Sequence, residues 1–153
     1  MLTLFSVLIV LQFMVVASHD LIDIPGWVHG SQVKAVVGRT KFVYGTLSTA
    51  LFPALAAGFA VFYWSRPKPG YVYTYWVAYC AITVISAVAM WYIPYFFGTS
   101  EKTRREYKRM YEGTRQVLPA RGDNPRPNVF HLILHVLFAA TLLLALLLRF
   151  HSA

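Results

Sequence analysis

Cysteine is almost missing from this chain of 153 residues: Cys80 stands alone. That excludes an internal disulfide and a cysteine-based metal framework, and it leaves the redox compartment unreadable. The bland reading of Cys80 is a small residue packed between helices. Charge is also scarce. Charged residues make up 13% of the chain, with only 6 Asp and Glu, where an ordinary soluble domain carries about 25%. Catalytic signatures are missing too. The sequence holds no nucleophile elbow, no glycine-rich phosphate loop, no H-E-x-x-H and no paired Glu-x-x-His. These absences remove the motif-bearing forms of hydrolase, nucleotide-binding, zincin and di-iron chemistry.

What is present is apolar. Hydrophobic residues make up 58% of the chain, gathered into four stretches over 2–18, 43–64, 72–97 and 129–150. A membrane-crossing helix needs about 20 predominantly apolar residues, so each stretch reads as a span. No Lys or Arg precedes the first stretch, so it reads as a retained helix rather than a cleaved signal. The expected fold is an all-α integral membrane protein. It is a four-helix transmembrane bundle and a single domain over 1–153, with loops over 19–42 and 98–128 and a short amphipathic helix between spans three and four. Small four-span families, among them the eicosanoid and glutathione enzymes called MAPEG, share this size. The second span here, from Tyr44 to Pro53, does not carry that family's Arg-rich, Asn/Glu-containing signature.

The net charge of +8 is uneven. Eleven of the 14 basic residues fall in the first and third loops: Lys34, Arg39 and Lys41, then Lys102, Arg104, Arg105, Lys108, Arg109, Arg115, Arg121 and Arg126. Those loops share one side of a four-span protein. The positive-inside rule puts them in the cytoplasm and both termini outside, in the plasma or inner membrane for a bacterial chain. Juxtamembrane Lys and Arg orient a span and attract anionic headgroups. The expected partners are therefore the bilayer, those headgroups and other membrane subunits or copies, and not nucleic acid.

Local signals refine the connections. Pro25-Gly26 marks a sharp turn, Ser31 can cap a helix over 32–37, and Asn128 can cap the fourth span. The S-R-P-K-P-G run at 65–70 closes spans two and three into a hairpin. A helix is expected over 99–118, capped by Thr99 or Ser100. Its pairs would be Glu101–Arg105 and Lys108–Glu112, and its apolar stripe Tyr107, Met110, Tyr111 and Leu118. Gly45, Thr49, Pro53 and Ala57 form a small-residue face on span two that permits close packing, with Pro53 as a kink. Tyr71, Tyr73, Tyr75 and Trp76 at one end of span three, and Trp91, Tyr92 and Tyr95 at the other, read as interfacial belts. Span four beyond its first two turns is nearly all leucine and alanine, and is expected to face lipid or a partner.

One constellation carries chemistry. Span one ends at His19-Asp20, and span four begins with His131 and His135, one turn apart on one face. His29, Asp23, Tyr44, Tyr92 and Tyr95 belong to the same end. His135 lies about 9 Å into its helix at 1.5 Å per residue, a depth at which a titratable group needs a partner. The expectation is that His19, Asp20, His131 and His135 converge. Interhelical hydrogen bonding is the first reading of that cluster. The second is a metal site made by all four, or a haem or chlorin site with His19, His131 and His135 as ligands. The third is proton or substrate chemistry. The function expected is a subunit or lipophilic-ligand or pigment-binding module of a larger membrane assembly. The alternative is a membrane-embedded metal- or haem-dependent enzyme acting on a lipophilic substrate through that cluster.

Overall fold

The computed structural model describes residues 1–151, and nearly all regular structure in it is helical. Helix α1 runs Leu2–Ser18. A two-residue antiparallel pair, β1 (Asp23–Ile24) and β2 (Val28–His29), follows. Then come α2 (Gly30–Val37), α3 (Arg39–Phe62) and α4 (Gly70–Ala87). A π-helical turn over Val88–Tyr92 leads into α5 (Ile93–Phe97). The chain ends with α6 (Glu101–Met110) and α7 (Val129–His151). Three helical stretches are long and apolar enough to cross a membrane: Arg39–Phe62, Gly70–Phe97 and Val129–His151. Helix α1 is apolar but has 17 residues. At 1.5 Å per residue it rises about 26 Å, against a hydrocarbon core of about 30 Å.

The four long helices pack on one another, and their contacts fix their directions. Phe5 meets Trp76, with ring centroids 4.8 Å apart. Gln12 meets Tyr79 and Thr141, and Val16 clusters with Ala87 and Leu134. Helices α1 and α4 therefore run the same way and α7 runs opposite. Helix α3 also runs against α1, since Thr46 meets Asp20 while Ala56 and Ala60 pack with Phe5 and Ile9. The first and third loops thus lie at the same end of the molecule. They are joined there by Arg115 N–H donating to the Gly26 carbonyl at 2.7 Å and Gln32 Nε2 donating to the Arg109 carbonyl at 2.5 Å.

At mid-depth the core holds a polar lock. Gln12 is fully buried, and its Nε2 donates to the Tyr79 hydroxyl at 2.6 Å. Thr141 Oγ1 donates to Gln12 Oε1 at 3.0 Å. One amide thereby ties three helices, and each buried polar atom has a partner. Thr141, Ala145 and Leu148 are buried, so α7 enters the core with one face instead of turning wholly outward. The outward faces of the long helices are apolar: Leu4 and Leu11 on α1, Leu47 and Leu51 on α3, Ile82 and Ile85 on α4, Val136 and Leu143 on α7.

Several local expectations need correction. The close-packed stripe of α3 is Pro53, Ala56, Ala57 and Ala60. Gly45 and Thr49 face outward, and a Cβ on Gly45 would touch nothing within 4 Å. Trp76 is buried, and its Nε1 donates to the Ala56 carbonyl at 3.1 Å, so it is core and not belt. Helix α6 stops at Met110. Gly113, at φ 77°, turns the chain before the stripe reaches Leu118. Glu101 and Arg105 pair at 3.1 Å, but the helix ends before Glu112 can pair with Lys108. Ser31 lies inside α2 and does not cap it. Asp23 Oδ1 accepts the Ser31 N–H at 3.0 Å instead. The Ser31 hydroxyl first, and this backbone bond second, hold the exposed Asp23 carboxyl below its ordinary 3.8, so the interaction is complete above that value and is lost as pH falls through the lowered one.

The turn after α1 depends on close backbone approach. A Cβ on Gly30 would sit 2.0 Å from the Asp20 carbonyl oxygen and 3.1 Å from that of Ile22. Gly30→Ala should therefore destabilise the protein by about 1–3 kcal/mol, the usual cost of overpacking. Gly58→Ala, where the added methyl meets nothing within 4 Å, should raise stability by up to about 1 kcal/mol. Thermal unfolding of both variants in one detergent checks this pair, and equal melting temperatures would refute it.

Candidate functional site

The site is built where α4 departs from regular geometry. Pro94 has no N–H to give to the carbonyl four residues earlier, that of Met90. The preceding turn widens into a π-turn, with Ile93 N–H bonding to the Val88 carbonyl. The Tyr107 hydroxyl of α6 donates to the freed Met90 carbonyl at 2.8 Å. The widened turn carries Trp91 inward, where it is buried. Tyr107 and Tyr111 close over Trp91, with ring centroids at 5.2 and 5.0 Å. Trp91 and Tyr95, expected as interfacial belt residues, are thus interior.

His131 sits inside this aromatic cage. Its ring centroid is 4.3 Å from that of Trp91, 5.3 Å from Tyr111 and 6.1 Å from His19. Asn128 caps α7 as its type suggests. Its Oδ1 accepts the His131 backbone N–H at 2.9 Å and lies 2.8 Å from His131 Nδ1. Asn128 Nδ2 donates to the Trp27 carbonyl at 3.1 Å, which fixes the amide orientation. The proton therefore belongs on His131 Nδ1, and Nε2 keeps its lone pair.

The other expected residues are placed as follows. His19 Nδ1 lies 2.8 Å from the Val16 carbonyl and Nε2 lies 3.1 Å from Asp20 Oδ1. Asp20 also accepts Thr46 Oγ1 at 3.3 Å. His135 Nδ1 lies 3.3 Å from the Tyr92 hydroxyl, and its ring stands 6.2 Å from both His131 and Trp91. The structure therefore brings His19, Asp20 and His131 to one place, with His135 one turn deeper on the same helix face. Among the described residues, no group of three or more His, Cys, Asp and Glu gathers closely enough to hold a metal ion. Each ring is already engaged by a local partner. Tyr44 is exposed and stands outside the cluster, and His29 pairs in register with Asp23.

Tyr111 separates this cluster from a polar cleft of about 780 Å³. One wall is α6, with Glu101, Arg104, Arg105, Tyr107 and Lys108. The other is the proline-rich loop, with Gly122, Asp123, Asn124, Pro125 and Arg126. That loop is clamped in place. The Tyr95 hydroxyl donates to the Pro119 carbonyl at 3.1 Å, Asn124 Nδ2 donates to the Tyr95 carbonyl at 3.1 Å, and Arg126 donates to the Leu118 carbonyl at 3.2 Å. Burial, then the adjacent Tyr107 and the Asp20 charge, raise the Tyr111 hydroxyl well above the ordinary 10. Burial likewise raises Tyr107. Both remain neutral hydrogen-bond donors at physiological pH.

The sequence reading missed the cage, the cleft and the mid-depth lock. Two signals were available. Gln12 is the one amide in the first apolar stretch, and such a group needs a partner when buried. Pro94 inside a helix frees a carbonyl that something must satisfy. Comparison with protein-family models, with curated proteins and with solved structures returns no match.

Tyr107→Phe leaves the Met90 carbonyl without its donor and should cost about 1–3 kcal/mol. In a Pro94→Ala background the helix regains an N–H at that position, and the same substitution should cost measurably less. A double-mutant cycle on thermal unfolding reads the coupling, and strict additivity would show that the two residues do not share the carbonyl.

Proposed function

We propose that this protein is a four-span integral membrane protein serving as a subunit or lipophilic-ligand module of a larger membrane assembly. Its two loops at the histidine end face the cytoplasm, and its termini face outward. The observation that carries the reading is the engagement of its interior polar groups with one another. Gln12, Tyr79 and Thr141 satisfy one another at mid-depth, and the histidines are held by Asn128, Tyr92, Val16 and Asp20. Such an interior is suited to locking a bundle. The apolar outer faces supply the lipid- or partner-facing surface. The juxtamembrane cations at one end support the orientation.

The rival reading is a metal- or haem-dependent membrane enzyme, and the approach of His19 to His131 at 6.1 Å is what favours it. Purification in mild detergent separates the two. Other protein bands at fixed stoichiometry support the subunit reading. A homo-oligomer alone, carrying metal or a visible absorption band, supports the enzyme.

Orientation has its own test. In a Cys80→Ala background, Arg66→Cys should react with an impermeant thiol reagent in intact cells, and Lys102→Cys only after lysis. Both positions are exposed. The reverse pattern would invert the orientation, and reaction of both in intact cells would end the spanning model.

A further inference from the structure

The cleft beside Tyr111 belongs neither to the polar lock nor to the histidine cage. We infer that it is a binding site for a phosphate ester whose alcohol part carries hydroxyl or ammonium groups. Its volume, about 780 Å³, falls within the range of small-molecule sites, about 300–1,000 Å³. It is preformed, because both walls are fixed from behind. Tyr107 and Tyr111 anchor α6 on Trp91, and buried Pro125 and Pro127 with the Tyr95 and Asn124 bonds hold the opposite loop.

The charges within it are not all used internally. Glu101 neutralises Arg105 at 3.1 Å, and Arg126 gives one N–H to the Leu118 carbonyl. Arg104 and Lys108 line the same α6 wall, one turn apart, with no side-chain partner among the described residues. A pair of cations at that spacing suits the multiple acceptor oxygens of one phosphate. The chain's excess of positive charge, +8 overall and concentrated in the two loops at this end, favours anion capture in the same place. Glu112 and Asp123 also line the cleft. They repel a bare polyanion and accept hydrogen bonds from hydroxyl or ammonium groups, which selects a phosphate carrying such a substituent.

The same chemistry occurs in a phospholipid headgroup and in a free phosphoalcohol. Only the lipid source rests on the membrane-spanning reading. The test therefore uses the full chain in a phosphate-free maltoside detergent, titrated with glycerol 3-phosphate in solution, alongside native mass spectrometry after addition of phosphatidylglycerol. Binding of either probe is expected, and Arg104→Gln/Lys108→Gln should weaken it about tenfold or more. Lys34→Gln/Lys41→Gln, which removes the same charge from the first loop, should leave it within about twofold. Binding of glycerol 3-phosphate identifies a free phosphate ester as sufficient, and binding of phosphatidylglycerol alone identifies the lipid. Absence of both, or equal loss in the two double variants, overturns the inference. A thermal midpoint for Arg104→Gln/Lys108→Gln matching the parent excludes misfolding as the cause of a loss. If that variant unfolds early, Arg104→Lys/Lys108→Arg, which keeps both charges, must retain binding for the inference to stand. The glycerol 3-phosphate arm in detergent is independent of whether the helices cross a bilayer.

Discussion

The structure depends on one constraint: a polar group buried among apolar helices must find its partner inside the protein. Leaving a donor or acceptor unmatched there costs several kcal/mol. The constraint acts at three depths. Gln12 joins Tyr79 and Thr141 near the middle. Tyr107 answers the Met90 carbonyl that Pro94 leaves open. Asn128 serves the His131 backbone, the His131 ring and the Trp27 carbonyl together. No described buried side-chain nitrogen or oxygen is left without a partner.

These three devices assemble the molecule in a consistent order. The Gln12 amide sets the register of α1 against α4 and α7. With that register set, the end of α1 delivers His19 and Asp20 beside the start of α7. The proline in the lower half of the third apolar stretch forces a wider turn and rotates Trp91 inward. Helix α6, amphipathic and too polar to enter the apolar layer, is held there by its two tyrosines. The cage around His131 and the cleft outside Tyr111 both follow from that docking. A single helix break thus creates both features that distinguish this end of the bundle.

The two features divide the chemistry. The cage is aromatic, and His131 Nε2 keeps its lone pair within it. The cleft is charged, and Arg104 and Lys108 have no side-chain partner there among the described residues. Tyr111 lies between them with a hydroxyl that stays protonated. A ligand in the cleft would rest against the tyrosine wall that covers the histidines.

Periodicity and length were sufficient for the four long helices, though not for the end of α6. The first stretch is helical over the residues expected, and α7 differs from its expected range by one residue at its end. The turn at Pro25-Gly26 and the caps at Ser100 and Asn128 were legible because those residue types have few alternative local uses. The placement of His19 and Asp20 beside His131 followed from connectivity alone, since odd-numbered loops return to one end. Other features needed the tertiary structure. Trp76 and Trp91 have the composition of belt residues, and only helix rotation sends them inward. Gly45 and Thr49 share their spacing with Pro53 and Ala57, and only the packing partner decides which part of α3 is approached. The cleft joins residues from two segments that share no sequence pattern. The apolar pattern of a stretch determines that it is a helix and how far it runs, because pairing the backbone's own polar groups is a local requirement. Its rotation is decided by side chains more than a hundred residues apart, as Gln12 and Thr141 are, and no local signal encodes that pairing.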